Sequence, residues 1–160
     1  MKKEDELHLE SILKSFEQKL ADSKDAKDLQ QSKEDAFYIE FDRVRAQVIR
    51  PAMEDIEALL KARGHGCEIS EAGDEKRKRD AKITMSVTVG VRTSTYAPEN
   101  AVSISFARTG HSSITIHATT SVKTRRAFAG PRGNFAASEI TTDLVQKTIL
   151  EILEEVFNPT

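Results

Sequence analysis

The spacing of apolar residues changes twice along this chain, and that change constrains the fold more than any other feature. Apolar side chains recur every three or four residues up to residue 60, and they alternate with polar ones between residues 82 and 119. After residue 141 the helical spacing returns. A spacing near 3.6 indicates an amphipathic helix, whereas strict alternation indicates a half-buried strand. Helices, then strands, then a helix predict an α+β domain.

The first part of the chain predicts two helices. The stripe that indicates the first helix consists of Leu9, Ile12, Leu13, Phe16 and Leu20. The polar segment 21–31 follows, either as a solvated helical extension or as a linker. A second stripe runs from Phe37 to Leu60 and contains Pro51, whose missing N–H predicts a long, kinked helix. We therefore expect an N-terminal helix with a polar linker, residues 1–31, and a single α+β domain, residues 32–160.

The middle of the chain predicts an antiparallel meander of three to four strands. The alternating segments are 83–91, 102–106 and 114–118, and Cys67–Ser70 is a candidate fourth strand at an edge. Clean alternation is typical of a sheet with one face in water. That wet face is expected to be rich in serine and threonine. A C-terminal helix, capped by Thr141, should pack on the apolar face.

The apolar stripe between Phe37 and Leu60 predicts a homodimer. Tyr38, Ile49 and Met53 widen this stripe beyond what one sheet face and one short helix are expected to cover. Monomers rarely leave large apolar patches exposed, so a second copy of the long helix is the expected cover.

The composition restricts the possible location of the protein. No apolar run approaches the ~18 residues that a membrane-spanning helix needs. The acidic N-terminus, MKKEDELHLE, lacks the apolar stretch of a signal peptide. The single cysteine, Cys67, excludes an internal disulfide and fits a reducing compartment. We therefore expect a cytoplasmic protein that does not enter the membrane.

The sequence predicts no catalytic residue, metal ligand or cofactor. It contains neither a phosphate-binding glycine loop nor the G-x-S-x-G motif of a serine hydrolase. His65 and Cys67 supply at most two of the four ligands that structural zinc takes. The neighbouring Glu68 would raise rather than lower the pKa of the Cys67 thiol, which disfavours a nucleophile.

The basic centre of the chain is the most suggestive feature for binding. Residues 64–137 carry 11 basic and six acidic side chains, between two acidic ends. The glycine-containing loop 123–135 holds the candidate ligand-binding residues Lys123, Arg125, Arg126 and Arg132. Arg92 and His117 on the wet sheet face are added to this site. Guanidinium groups match phosphates bidentately, so the loop predicts a site for an anion or nucleic acid.

Three functions remain open, and the first is favoured because no catalytic constellation is present. The first is a non-catalytic cytoplasmic binding or assembly module, homodimeric through its long helix, with a possible protein partner. The second is a nucleic-acid or phosphate-ligand binder that uses loop 123–135. The third is an enzyme with a pocket at the hydroxyl-rich sheet face and His117 as its acid or base.

Overall fold

A computed structural model describes residues 2–74, 76–89, 101–110, 112–121 and 129–157 of the 160-residue chain. Its helices are α1 (Lys3–Val44), α2 (Arg50–Ala62) and α3 (Thr142–Phe157), and a π-helical turn, Arg45–Ile49, lies between the first two. Its strands are β1 (Gly66–Ala72), β2 (Lys82–Thr88), β3 (Ala101–Thr109), β4 (Ser113–Ser121) and β5 (Ala129–Phe135). The strands form one antiparallel sheet in the order β1-β2-β3-β4-β5. The expected α+β class with an antiparallel sheet is confirmed.

The chain divides into two compact units, Met1–Ala36 and Phe37–Thr160. The described part of the first unit is helical from Lys3 onward, including the polar segment 21–31. That segment contains neither glycine nor proline, so nothing in it breaks the helix. Bonds between side chains four residues apart, such as Gln18 to Asp22 at 3.0 Å, add local support. Of the two alternatives for segment 21–31, the structure therefore has the solvated helical extension and not the linker, and the helix continues to Val44.

The break between the two helices lies at the π-helical turn Arg45–Ile49. There the backbone N–H of Arg50 donates to the carbonyl of Arg45, five residues back. Pro51 is the second residue of α2, and it can neither donate an N–H to the preceding turn nor approach a carbonyl of that turn closely. The irregularity expected at Pro51 is therefore found in the turn before it, where the π-helical hydrogen bonding accommodates one extra residue.

The core of the Phe37–Thr160 unit lies between the apolar sheet face and the helices. The buried helical side chains include Phe41, Val44, Ile49, Met53 and Ile56. From the sheet they meet Ile83, Met85, Val87, Ile104, Phe106, Ile114 and Ile116. Most of the stripe between residues 37 and 60 is therefore covered within a single chain, although Leu59 is 69% exposed. The excess apolar face is smaller than the sequence indicates, and the dimer stays a prediction.

The C-terminal helix α3 also packs on this apolar face. Val145, Ile149, Ile152 and Val156 lie on its buried side and belong to the same core. The hydroxyl of Thr141 accepts the backbone N–H of Leu144 at 3.2 Å, as the cap predicts.

Strand β5 replaces part of the expected loop 123–135. Its segment, AGPRGNF, contains Pro131 and two glycines, which are poor strand residues. They are accommodated because β5 is an edge strand and pairs with β4 across an irregularity at Ile116/His117. With β1 the sheet has five strands, so the expected three to four is corrected.

Candidate interaction surface

A stripe of exposed apolar side chains runs along one side of the Met1–Ala36 unit. Its members and their exposed fractions are Leu9 45%, Ile12 51%, Leu13 49%, Phe16 60% and Leu20 56%. At 100° per residue they fall within a sector of about 100° around the helix, the width of a helix face that usually packs against something. We call these five residues the N-terminal stripe.

The N-terminal stripe is comparable in size to the largest apolar patch of a typical monomer. Five half-exposed side chains of this kind leave a contiguous apolar area on the order of 400 Å². The largest apolar patch on a typical monomer is about 300–600 Å², and it is often functional. Helices in proteins gain most of their stability by packing an amphipathic face, which this helix has and does not bury.

Two further leucines of the same unit are exposed but lie outside the stripe. Leu7 is 61% exposed and Leu29 is 58% exposed. Leu29 follows Leu20 by nine residues, or two and a half helical turns, and so faces the opposite side of the helix. Scattered exposed leucines are ordinary on protein surfaces, which makes Leu29 a matched reference for Leu20.

The hydroxyl-rich face of the sheet contains His117. This face carries Ser103 and Ser105 of β3 and Thr84 of β2, and the Thr84 and Ser105 hydroxyl oxygens are 2.9 Å apart. His117 is exposed and pairs in register with Ser105 on one side and Pro131 on the other. Neither register neighbour is a carboxylate that could orient the imidazole as an acid or base.

Arg132 lies in β5 and reaches the helical side of the sheet. Its two terminal nitrogens donate to the two carboxylate oxygens of Glu155 in α3, each at 2.9 Å. A phosphate would have to displace this bidentate pair. Since α3 packs on the apolar face and His117 lies on the other, the structure does not bring Arg132 and His117 together. Arg92, Lys123, Arg125 and Arg126 lie outside the described residues.

A cluster around Arg45 was not predicted from the sequence. A cleft of about 590 Å³ is lined by Arg45, Glu71, Ala72, Gly73, Asp74 and Arg77. Arg45 is only 6% exposed, although it lies in a helical segment beside buried Val44. A charged residue within an apolar stripe was the signal that could have identified this position.

The guanidinium of Arg45 is fully occupied by groups of the chain itself. It donates to the carbonyls of Ala72 at 2.8 Å, Lys82 at 3.3 Å and Gly73 at 3.3 Å. It also pairs with the carboxylates of Asp42 at 2.7 Å and Glu71 at 3.5 Å. Each nitrogen therefore has an oxygen partner, so Arg45 ties the π-helical turn to the sheet and is not available to a ligand.

The thiol of Cys67 is not activated as a nucleophile. Burial raises the pKa of Cys67 from 9.0 to about 11, and the Glu57 carboxylate adds to this while Lys61 opposes it. The direction expected from the sequence is confirmed, but the acidic neighbour responsible is Glu57 rather than Glu68. A thiol with this pKa is almost wholly protonated at neutral pH and is a poor nucleophile.

The described ranges contain neither a cluster of metal ligands nor a membrane-spanning helix. No group of three or more histidine, cysteine, aspartate or glutamate residues in them is arranged to hold a metal ion. None of the helices in these same ranges is both long enough and apolar enough to span a membrane.

Comparison with known proteins gives no match. No family model, no curated protein and no solved structure matches this chain. The function therefore has to be inferred from the chain itself.

Proposed function

We propose that this protein is a non-catalytic binding and assembly module that forms a homodimer through the N-terminal part of its long helix. The observation that carries the proposal is the N-terminal stripe, Leu9 to Leu20, whose members are 45 to 60% exposed. The proposed contact surface is thus moved from the Phe37–Leu60 stripe, most of which is buried, to the Met1–Ala36 unit. The single Cys67 fits a reducing cytoplasm as the location of this module.

The energetics of the stripe support a weak dimer. Full burial of a leucine or phenylalanine side chain contributes about 1.5–3 kcal/mol, so ten half-exposed side chains in a dimer contribute roughly 8–15 kcal/mol. The loss of translational and rotational freedom opposes this by about 4–15 kcal/mol. The surplus is at most about 11 kcal/mol, which is less than the roughly 12 kcal/mol of a nanomolar complex, so we expect a dissociation constant between about micromolar and millimolar.

The proposal is tested by Leu20→Glu, with Leu29→Glu as its matched control. Both residues are leucines of the same helical unit with nearly equal exposure, 56% and 58%, and they lie on opposite sides of the helix. Sedimentation equilibrium should show that Leu20→Glu weakens the dimer at least about tenfold, because each dimer loses two stripe leucines. Leu29→Glu should leave the dimer unchanged.

Two results would contradict the proposal. One is a wild-type protein that stays monomeric up to concentrations of several millimolar, above the whole expected range of dissociation constants. The other is an equal effect of the two variants, which would place the contact outside the stripe.

The ratio of absorbance at 260 and 280 nm should be recorded with each sample. The protein has no tryptophan and only two tyrosines, so retained nucleic acid would be conspicuous and would favour the second hypothesis.

A further inference from the structure

Strand β1 leaves one edge of the sheet without a neighbour. In the order β1-β2-β3-β4-β5, only β2 pairs with it among the described strands. The two strands pair from Gly66 to Ala72 without a shift in register. The opposite edge strand, β5, contains Pro131 and pairs with β4 across an irregularity, and both features discourage a further strand. Strand β1 is therefore the edge that can accept one.

The alternation of hydrogen bonds in antiparallel strands shows which backbone groups of β2 face β1. The backbone N–H of Arg108 in β3 donates to the carbonyl of Ala81 at 3.0 Å, so these two residues form a hydrogen-bonded pair. The next residue, Lys82, is opposite Ala107 and therefore forms no such pair with β3. Its N–H and C=O point the other way, toward β1, where its register partner is Ala72.

Three residues of β1 direct both of their backbone groups away from the sheet. Because hydrogen-bonded pairs alternate along a strand, Ala72 and every second residue before it bond to β2. The residues between them, Cys67, Ile69 and Glu71, point their N–H and C=O groups outward. No other hydrogen bond within the described part of the chain uses these outward groups. An added strand would pair with all of them.

The side chains along β1 specify what an added strand has to carry. Cys67 and Ile69 are half-buried and pack against the core on the apolar face, so apolar side chains beside them would complete their burial. On the wet face Glu68 is exposed and forms no ion pair with a described residue. Its neighbours within the sheet are all uncharged: Gly66, Ser70, Thr84, Ser86 and Thr88. A lysine or arginine opposite Glu68 would therefore form a cross-strand pair with it.

A second copy of β1 suits this edge less well than a basic strand does. Strand β1 contains Glu68 and Glu71 and no basic residue, and Glu71 already pairs with Arg50 at 3.2 Å. The symmetric antiparallel pairing that uses every outward group is centred on Ile69. It places Glu68 opposite Ser70 and diagonal to Glu68 of the second copy. That pairing adds a like-charge approach at Glu68, whereas a basic strand adds an attraction.

We infer that β1 is a docking edge for an extended segment of another protein, with a lysine or arginine opposite Glu68 and an apolar side chain opposite Ile69. The segment extends the five-stranded sheet by one strand. This inference rests on the proposed function, because it specifies the partner of the binding module proposed above. It uses β1 and not the N-terminal stripe, so the two proposals can fail separately.

A designed peptide with this chemistry tests the docking edge. The capped peptide TVKVKVT reads the same in both directions, so a lysine lies beside Glu68 and the central valine beside Ile69 in either orientation. Its valine and threonine residues favour an extended conformation. Titration into the full-length protein, followed by NMR, should give saturable binding with a dissociation constant on the order of 0.1–1 mM. The control peptide TVEVEVT should bind at least about fivefold more weakly.

The variant Glu68→Lys tests the charge pair directly. It should weaken the binding of TVKVKVT about two- to tenfold, because it turns an attraction into a repulsion, and it should tighten the binding of TVEVEVT. Glu151→Lys makes the same change in net charge at an exposed position of α3 and is the matched control. It should leave both affinities unchanged.

Exchange of the β1 amide hydrogens tests the backbone pairing. In the free protein the outward amides of Cys67, Ile69 and Glu71 should exchange faster than those of Glu68 and Ser70, which bond to β2. Saturation with TVKVKVT should slow the three outward amides at least about tenfold, because they then donate to the peptide. Slow exchange of the outward amides in the free protein would contradict the derived pairing.

The possible failures are distinguishable. Equal binding of the two peptides, or no binding of TVKVKVT at about 5 mM, overturns the docking edge. Protection of the outward amides that rises with protein concentration, without peptide, shows that a second copy occupies the edge and also overturns it. The variant Leu20→Glu should bind TVKVKVT as the wild type does. A protein that stays monomeric but binds TVKVKVT selectively overturns the proposed dimer and supports the docking edge.

Discussion

The thiol of Cys67 shows how one side chain reports on its surroundings. It lies half-buried in β1, where burial and the Glu57 carboxylate raise its pKa to about 11. Both causes disfavour the charged thiolate, the first by removing water and the second by repulsion. A cysteine in this position behaves as a small core side chain.

The reactivity of Cys67 should follow this pKa. The rate of alkylation by iodoacetamide should reach half its maximum near pH 11 in the folded protein and near pH 9.0 in urea. Glu57→Gln should lower the midpoint, because it removes the negative charge that opposes ionisation. Glu68→Gln is the matched control, and an equal shift there would contradict the assignment to Glu57.

The same pKa shift makes stability depend on alkaline pH. The unfolded chain releases the thiol proton near pH 9.0, whereas the folded chain retains it until about pH 11. Between these values the folded state binds more protons, so the contribution of Cys67 to stability falls as the pH rises. Below pH 9.0 both states are protonated and the contribution is constant.

Among the elements, the π-helical turn Arg45–Ile49 depends most on a single side chain. Arg45 connects this turn to the carbonyls of the last residue of β1, of the residue after it and of the first residue of β2. It also stacks over Phe41, with its guanidinium carbon 5.4 Å from the ring centroid. Turns of this kind are less stable than regular helix, so a fixed anchor is needed to keep one in place.

We expect Arg45→Ala to destabilise the protein by about 2–4 kcal/mol. The substitution removes a buried cation together with its hydrogen bonds, and it leaves the carbonyls of Ala72, Gly73 and Lys82 without this donor. Arg43→Ala is the matched control. Its guanidinium pairs with Glu40 at the surface, and its loss should leave the free energy of unfolding nearly unchanged. Urea denaturation of both variants measures the difference, and equal losses would show that Arg45 is not an anchor.

The elements also show where prediction from sequence succeeds. Strands β2, β3 and β4 were predicted because their side chains alternate between a dry and a wet face, which leaves a period of two in the sequence. Strand β5 was not predicted, since an edge strand with glycine and proline carries no such alternation. Its place is determined by backbone pairing with β4, which no local pattern encodes.

The N-terminal stripe can be predicted from the sequence as a helix face, but its exposure cannot. The stripe from Leu9 to Leu20 was recognised in the sequence as a helix face, but so was the stripe from Phe37 to Leu60. Periodicity identifies the face of a helix and does not identify what covers it. The structure separates the two, because Phe41 is fully buried and Phe16 is 60% exposed.

At the scale of the whole molecule, the chain combines two units with different sources of stability. The Phe37–Thr160 unit has a core of buried side chains from helices and sheet. In the Met1–Ala36 unit, every described residue from Lys2 to Lys33 is exposed. That unit relies on helix propensity and on pairs between residues one turn apart, which stabilise a helix only marginally.

This contrast has a consequence for the exchange of backbone amide hydrogens with deuterated water. Amides of the central strand β3 should exchange only when the Phe37–Thr160 unit unfolds globally, so their protection should follow its total stability. Amides around Leu9 and Leu20 should exchange by local fraying, at rates insensitive to low urea. Mass spectrometry of deuterium uptake should also show protection in residues 9–20 that rises with protein concentration. A concentration-independent rate there would count against self-association. Deuterium exchange in one chain would then report two processes separately. The slowly exchanging amides of β3 would report global unfolding, and the rapidly exchanging amides of residues 9–20 would report self-association.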